Sequence, residues 1–398
     1  MNPRNVDVTI IGAGLVGLAA ALALEQAGYA VVLVDSQRPS AQSDHNNHDW
    51  DQRIYAISPR NAAWLASLGA WQPLDVRRVA KIQAMEIFGD DASSKPLQLN
   101  AEDDHADALG FIVEERALKQ ALMQCLQKSG VRMMFGNACQ NVQTSPQQAT
   151  LQLADGQELV SRLLIAADGA NSWVREQLGI GIQQKHYYQT AIVANFAVEK
   201  SHNNIARQWF TQDAAGRSSV LAWLPLPKNK ISIVWSVPTQ TADALLKLGD
   251  ELLTQAVQAA GAQVLGDLTS ITSPVAFPLT LKKADVLTYD CVVLMGDAAH
   301  RIHPMAGQGV NLGFRDVMDW MEVIGNKHQF QPINDATLLK QYTRMRKADM
   351  LKMLALTDGL YYLFENQNSV VKKVRNWGLS ATNQQAIKKI LVENAVSL

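Results

Sequence analysis

The hydrophobic pattern divides the chain into an alternating strand and helix frame, a strand-rich middle and a helical end. Residues 6–11 (Val-Asp-Val-Thr-Ile-Ile) and 30–34 (Ala-Val-Val-Leu-Val) are short apolar runs of strand length. Between them residues 18–27 form an Ala/Leu-rich helical stretch that Gly28 closes. Ser58 is placed to cap a helix over 59–68, residues 85–88 read as a strand, and Val113-Glu114-Glu115-Arg116 precede a helix that runs to about Lys128. Strands are expected at 131–135, 149–153 and 163–167, with Asp155-Gly156 as a hairpin turn. From about 180 to 285 the texture changes. Residues 191–198, 207–210, 219–226 and 230–237 are strand-like, and 241–260 read as one amphipathic helix. Residues 292–295 (Val-Val-Leu-Met) return to the buried-strand pattern, and a helix is expected from Leu312. The periodicity then predicts a long helix over 335–365 and a last one over 382–395.

Three loops in this frame carry chemistry. Gly12, Gly14 and Gly17 form G-x-G-x-x-G between the first strand and helix, and the second strand ends in Asp35. In that frame Gly12 makes the turn and Gly14 admits a pyrophosphate to the helix N-terminus. Gly17 lets helix and strand pack, and Asp35 can accept from ribose hydroxyls. The motif alone does not separate FAD from NAD. The second loop is Asp168-Gly169-Ala170-Asn171-Ser172, followed by Val174-Arg175; Arg175 reads as a charge toward a phosphate or as a cap of the next turn. The third begins Gly296-Asp297-Ala298-Ala299-His300 and continues through Pro304 and Gly307-Gln308-Gly309-Val310-Asn311 to Asp316. A strand, a glycine-rich loop and a helix in that order expose backbone N–H groups where an anion or a polar ring edge can sit. Asp297, at a strand end, is placed to accept from a sugar hydroxyl.

Taken together, the three loops resemble those of the single-component flavoprotein aromatic hydroxylases. The third is close to the form found in the ubiquinone-biosynthesis hydroxylase family. The resemblance covers essentially the whole chain. It implies an α/β protein: a Rossmann-like FAD-binding domain with an inserted β-rich substrate lobe and a helical C-terminus. The cofactor domain is expected from 1–80, 111–180 and 286–330. A β segment at 81–110 leads to the substrate lobe at 181–285, and 331–398 is the helical end. The resemblance implies FAD as cofactor and NAD(P)H and O2 as co-substrates, with a flavin C4a-hydroperoxide as the oxygenating species. Only one G-x-G-x-x-G unit is present, which suits NAD(P)H docking transiently at a shared surface.

The resemblance also implies roles for single residues. Gly12, Gly14, Gly17, Asp35, Asp168, Gly169, Gly296 and Asp297 are expected to hold FAD. Arg53, in R-x-x-A-I, is expected near the phosphates or the isoalloxazine, where the alternative is a surface charge. Arg116, in R-x-L-x-x-x-L, is expected at the pyrophosphate; several ubiquinone-pathway relatives carry asparagine there. The loop from Pro304 to Asn311 would cradle the ring and the O2 site. Pro304 would shape its front, with Gly307, Gly309 and Asn311 facing it. His300 and His303 read as structural. Phe277 and Pro278 are pocket candidates, whereas Trp209, Phe210 and Trp223 read as core. The substrate implied is a polyprenylated phenol or benzoquinol, whose greasy tail suits peripheral association with the inner membrane or with a ubiquinone-biosynthesis complex.

Composition narrows the field further. An apolar fraction of 47% with 18% charged residues describes a globular protein with a core. The net charge of −1 gives no bulk attraction to nucleic acid. Cys125, Cys139 and Cys291 form no C-x-x-C pair, and no basic-then-apolar leader precedes the first strand, so a reducing, cytoplasmic setting is expected. His45 and His48 sit in a polar loop without companions for a metal. Lys372, Lys373, Arg375 and Trp377 read as a solvated helix face, with docking on an anionic membrane as the sharper alternative. Two other enzymatic readings remain at this stage. One is a hydroxylase of a small soluble phenol, with Arg207 or Arg217 as its anchor. The other is a flavin reductase that does not use O2.

Overall fold

The computed structural model describes residues 4–39, 50–89, 95–212, 217–301 and 309–365. Its frame is a sheet whose strands run in the order Thr288–Tyr289, Val292–Leu294, Glu158–Ala166, Arg4–Ile11, Val31–Asp35 and Arg132–Phe135. The last five are mutually parallel. Parallel strands are covered on both faces, which is why these runs are apolar without alternation. Ile10, Leu33, Leu164, Ile165, Val292 and Val293 are all fully buried. Helices Leu15–Gln26, Glu115–Gln127 and Gly309–Gly325 form one layer of that cover, the first packing against both of the others.

Register fixes what lies at the sheet's edge. Leu294, Ala166, Ile11 and Val34 stand side by side. The residues that follow them are Gly296-Asp297, Asp168, Gly12 and Asp35. All three sequence loops therefore leave the sheet at one carboxyl edge, the place where open α/β sheets bind ligands.

The second body is a nine-stranded sheet ordered His300–Arg301, Val275–Ala284, Ile182–Val198, Lys230–Pro238, Ser218–Leu226, Ile205–Gln212, Ala84–Phe88 and Leu97–Asn100, with Leu268–Ser270 paired to Ile182–Val198. One face carries Phe196, Ile233, Leu221, Trp223 and Trp209 against Leu253 and Val257 of helix Asp250–Ala260. Trp209 and Trp223 are thus core, as expected. The other face packs partly on a small sheet of Ile54–Ile57, Gly110–Glu114 and Ala80–Ile82.

Three details differ from expectation. The single helix over 241–260 is two, Thr239–Leu246 and Asp250–Ala260, because Gly249 takes a left-handed φ of 77° between them. Cys139–Thr144 is an extra strand, hidden in sequence because only Val142 along it is buried. Trp173–Gln177 is a short helix capped by Ser172, whose hydroxyl accepts from Arg175 N–H. The C-terminal helix is Ala336–Glu365. The helix expected over 382–395 and the basic cluster at 372–377 lie outside the described residues, as do His45 and His48. Among the described residues no helix is long and apolar enough to cross a membrane.

Candidate cofactor cleft

The glycines of the first loop separate by role. Gly12 has φ +107° and abuts the Ala167 carbonyl, so no Cβ fits there. At Gly17 a Cβ would stand 1.9 Å from the Gly12 carbonyl oxygen. Gly14 is different: it is exposed and faces open space, at the N-cap of helix Leu15–Gln26, which has no side-chain cap. The N–H groups of that helix end are left for a ligand. Asp35 braces the turn, its Oδ2 accepting Ala13 N–H at 2.6 Å and its Oδ1 accepting Gln37 N–H at 2.8 Å. Half-buried, it keeps further lone pairs toward the edge.

Asp168 turns its Oδ2 to Val174 N–H at 3.0 Å and leaves its buried Oδ1 without a hydrogen-bond partner. Burial pushes its carboxyl above the ordinary value, against hydrogen bonds from Ser172 and Val174. Asp297 is open to solvent yet closely ringed by protein, as a carboxylate on the floor of a cleft must be. The crowding raises its carboxyl too, opposed by Arg301 and His300. Gly169 and Gly296 both hold left-handed φ values, 85° and 60°. Val16 of the first loop lies against both Gly296 and Gly313, joining the first loop to the third.

The structure corrects two readings here. Arg175 is buried, and its Nη1 and Nη2 donate to the carbonyls of Ala298 (2.9 Å) and Ala170 (3.0 Å). It binds the second loop to the third and serves neither as a phosphate charge nor as a simple cap. Asn311 does not present its side chain to a ring. It is fully buried; its Nδ2 donates to Ala56 O at 2.7 Å, and its Oδ1 accepts Ser58 N–H at 3.0 Å and Asn61 Nδ2 at 2.8 Å. With its side-chain groups taken up by Ala56, Ser58 and Asn61, Asn311 positions the 54–61 segment against helix Gly309–Gly325. His300 is structural as expected, its Nε2 2.8 Å from Asp316 Oδ2 in a buried pair. Gly309 opens helix Gly309–Gly325 with space where a Cβ would stand. Pro304, Gly307 and His303 lie outside the described residues.

Arg53 and Arg116 come together at the start of helix Glu115–Gln127. Arg53 is mostly exposed, with Nη1 3.3 Å from Glu115 Oε2, and the same oxygen accepts from Tyr55 Oη at 3.3 Å. Burial and the charge of Glu115 hold the Tyr55 phenol above its ordinary pKa, and Asp297 contributes to the same shift. Tyr55 and Glu115 thus border the same cleft. Sequence reasoning does not single them out; the only signal is that each lies within two residues of a motif arginine.

These residues meet around a groove at the carboxyl edge, and comparison with known proteins names what it takes. Residues 5–357 match the family described as FAD binding domain.

The chain belongs to this FAD-binding family.

It is 32% identical to ubiquinone hydroxylase UbiL of Rhodospirillum rubrum over 98% of this chain and 89% of that one. It is 31% identical to 3-demethoxyubiquinol 3-hydroxylase of Escherichia coli over 98% and 97%. Among solved structures it superposes on p-nitrophenol 4-monooxygenase PnpA of Pseudomonas putida with a TM-score of 0.76, 16% identity and 98% coverage of both chains, a likeness of fold. The groove's own features suit FAD. They are an uncapped helix end beside open Gly14, an unpartnered buried oxygen on Asp168 and an accessible carboxylate on Asp297.

Proposed function

We propose that the chain is an FAD-dependent monooxygenase that uses NAD(P)H and O2 to hydroxylate the ring of a polyprenylated phenol or benzoquinol in ubiquinone biosynthesis. One observation carries the reading: the likeness to two ubiquinone-pathway hydroxylases runs through nearly the whole of each chain, lobe included. Residues 1–80, 111–180 and 286–330 would form the cofactor half, and 81–110 and 181–285 the substrate half, with 331–398 as the helical end.

When bound and reduced, FAD supplies the activation of O2. What falls to the protein is binding, orientation and the exclusion of water. Gly12, Gly14 and the end of helix Leu15–Gln26 would hold the pyrophosphate, with Arg53 and Arg116 beside it. Asp35, Asp168, Gly169, Gly296 and Asp297 would hold the rest of FAD, and Pro304, Gly307 and Gly309 would adjoin the flavin ring.

The ring of the substrate would lie on the lobe face that turns away from helix Asp250–Ala260. Val193, Val234, Ala222, Gln208 and Ile87 form one row across five strands of that face. Four of the five are only half-buried, and all but Gln208 are apolar. Phe277, half-buried, stands on the same face opposite Ala191 and packs with Val234, whereas Pro278 pairs with Thr190 and belongs to the other face. Such a surface excludes water and suits a prenyl tail. The small-phenol alternative loses one of its two anchors: Arg207 is opposite Trp223 on the helix-covered face, and its Nε is 2.8 Å from Glu86 Oε2. A membrane-surface or complex association would follow from the tail.

The test is the absorption spectrum of the purified protein, then NADH and NADPH oxidation with and without a polyprenylphenol, with product mass. Expected are a flavin spectrum, oxidation stimulated by the phenol and a product heavier by one oxygen atom. Oxidation with no oxygenated product would move the protein to the reductase reading, and absence of flavin would overturn both.

A further inference from the structure

Asp51 engages all four of its polar groups at once. Its N–H donates to Glu114 Oε1 at 2.7 Å, and its carbonyl accepts from Asn195 Nδ2 at 2.8 Å. Its Oδ1 accepts Arg53 N–H at 3.0 Å, and its Oδ2 accepts Arg116 N–H at 2.9 Å. The Oδ1 bond is an Asx turn, which sets the backbone two residues on. The Oδ2 bond caps helix Glu115–Gln127 from a distant segment, because the N-cap residue Glu114 makes no capping bond with its own side chain. Glu115 N–H donates in turn to Arg53 O at 2.9 Å, so residues 51–53 and the helix start lock each other.

The lock is itself anchored. Glu114 is 1% exposed and receives Arg78 Nε at 2.6 Å and Arg78 Nη2 at 2.7 Å, and Arg78 lies over the Trp50 ring. Asn195 is fully buried on the central lobe strand Ile182–Val198. The side chain of Arg53 has no comparable hold: it is 77% exposed, with its Glu115 contact at 3.3 Å. Arg116 is 42% exposed and stands 3.7 Å from Glu114. A long arginine places its guanidinium only as well as its backbone is placed, and each rotamer frozen on binding costs affinity.

We propose that Asp51 is the positioning residue for both arginines. Its carboxylate fixes the two backbone points from which they reach FAD, and its carbonyl, through Asn195, references them to the substrate lobe. The inference rests on the proposed role of Arg53 and Arg116 in holding FAD.

A double-mutant cycle on the full-length protein stripped of flavin separates the two claims, with the Kd for FAD read by flavin fluorescence. Arg53→Ala and Arg116→Ala are each expected to raise the Kd. Asp51→Asn places an amide donor against an N–H and is expected to raise it about tenfold, the weight of a lost cap. In the Arg53→Ala/Arg116→Ala background the same change is expected to do nothing further, because Asp51 acts through those residues. An unchanged Kd in both arginine variants overturns the cofactor role of the arginines and this inference with it. A raised Kd in the arginine variants but not in Asp51→Asn overturns the inference alone. An equal rise from Asp51→Asn with and without the arginines also overturns it, since Asp51 would then act only through the fold. Asp51→Ser, which retains one oxygen acceptor, takes the place of Asp51→Asn in the cycle if that variant does not accumulate, and the same outcomes apply.

Discussion

Asp316 and Arg346 form an ion pair of 2.7 Å in which each side chain is only 1% exposed. Asp316 Oδ2 also accepts Gly296 N–H at 2.7 Å and meets His300, while Arg346 reaches Asp319 and Asp349 at 2.7 Å each. One carboxylate therefore bonds the C-terminal helix Ala336–Glu365 to the first residue of the third cofactor loop. Two charges out of water are tolerated only while each has its partners, so removing one is costly in a way that removing both is not. Arg346→Met is expected to lower stability by about 3–5 kcal/mol, read by urea unfolding. The double change to Arg346→Met with Asp316→Asn is expected to recover part of the loss. Burial alone would raise the Asp316 carboxyl, but the charges of His300 and Arg346 outweigh it and hold it below the usual range. A carboxyl depressed in the folded state stabilises fully above its ordinary pKa of about 4 and loses that contribution as pH falls through the lower folded value. The wild type should thus lose stability in acid more steeply than Asp316→Asn. Parallel pH profiles would show that the pair does not set acid sensitivity.

Gly14 and Gly17 stand three residues apart and should fail in opposite ways. A methyl group at Gly17 meets a backbone carbonyl that cannot move without breaking the turn, whereas at Gly14 it meets nothing. Gly17→Ala is expected to cost about 3 kcal/mol or more, at the upper end for overpacking. Gly14 has φ −75°, which alanine adopts freely. Gly14→Ala is therefore expected to unfold within about 0.5 kcal/mol of wild type, as benign surface changes do, and to bind FAD more weakly because the methyl occupies the approach to the helix end. A Gly14→Ala protein with wild-type FAD affinity would remove Gly14 from the site.

The contrast also marks how far the sequence could be read. Gly12, Gly14 and Gly17 were legible because glycine answers a local need, and the strands 30–34 and 292–295 because burial on both faces leaves an unbroken apolar run. Partnerships across the fold were not. Arg175 and Asn311 each carry functional groups suited to a ligand, and nothing near them in sequence says that the carbonyls of Ala298 and Ala56 will take those groups instead. Asp51 is one acid in a polar loop until the helix start, 65 residues on, is folded beside it. Arg346 is one charge among several in the long C-terminal helix, and nothing beside it in sequence names Asp316 as its partner. The break at Gly249 had a signal, Gly followed by Asp, which the amphipathic period over 241–260 masked.

Asn311 gathers Ala56 O, Ser58 N–H and Asn61 into one buried cluster. Asn311→Ala leaves these groups without their partner in a place water does not reach, at about 1–3 kcal/mol for an unsatisfied group. Asn311→Asp keeps the acceptor and loses the donor to Ala56 O, while adding a buried charge, and should be no better tolerated. Thermal unfolding of the two variants checks this. If Asn311 faced the flavin instead, Asn311→Ala would shift the flavin absorption bands and leave stability alone.

Asp297 should trade stability for binding. The protein crowded around it raises its carboxyl in the folded, flavin-free protein, so the ionised form is disfavoured there. For a raised carboxyl the cost is nil below the ordinary pKa of about 4, grows as pH rises from there to the folded value, and is constant above it. Asp297→Asn removes the charge and is expected to make the flavin-free protein more stable than wild type at neutral pH, with the difference vanishing below about pH 4. The same change removes a charged acceptor, and hydrogen bonds to charged groups are worth about 1.5–3 kcal/mol, so FAD should bind about 10- to 100-fold more weakly. Thermal unfolding across pH and FAD titration of the stripped protein read the two effects separately. Gained stability with unchanged FAD affinity would leave Asp297 a cleft carboxylate that FAD does not touch. Lost affinity without any gain in stability would mean that the carboxylate is hydrated well enough to carry its charge at no cost.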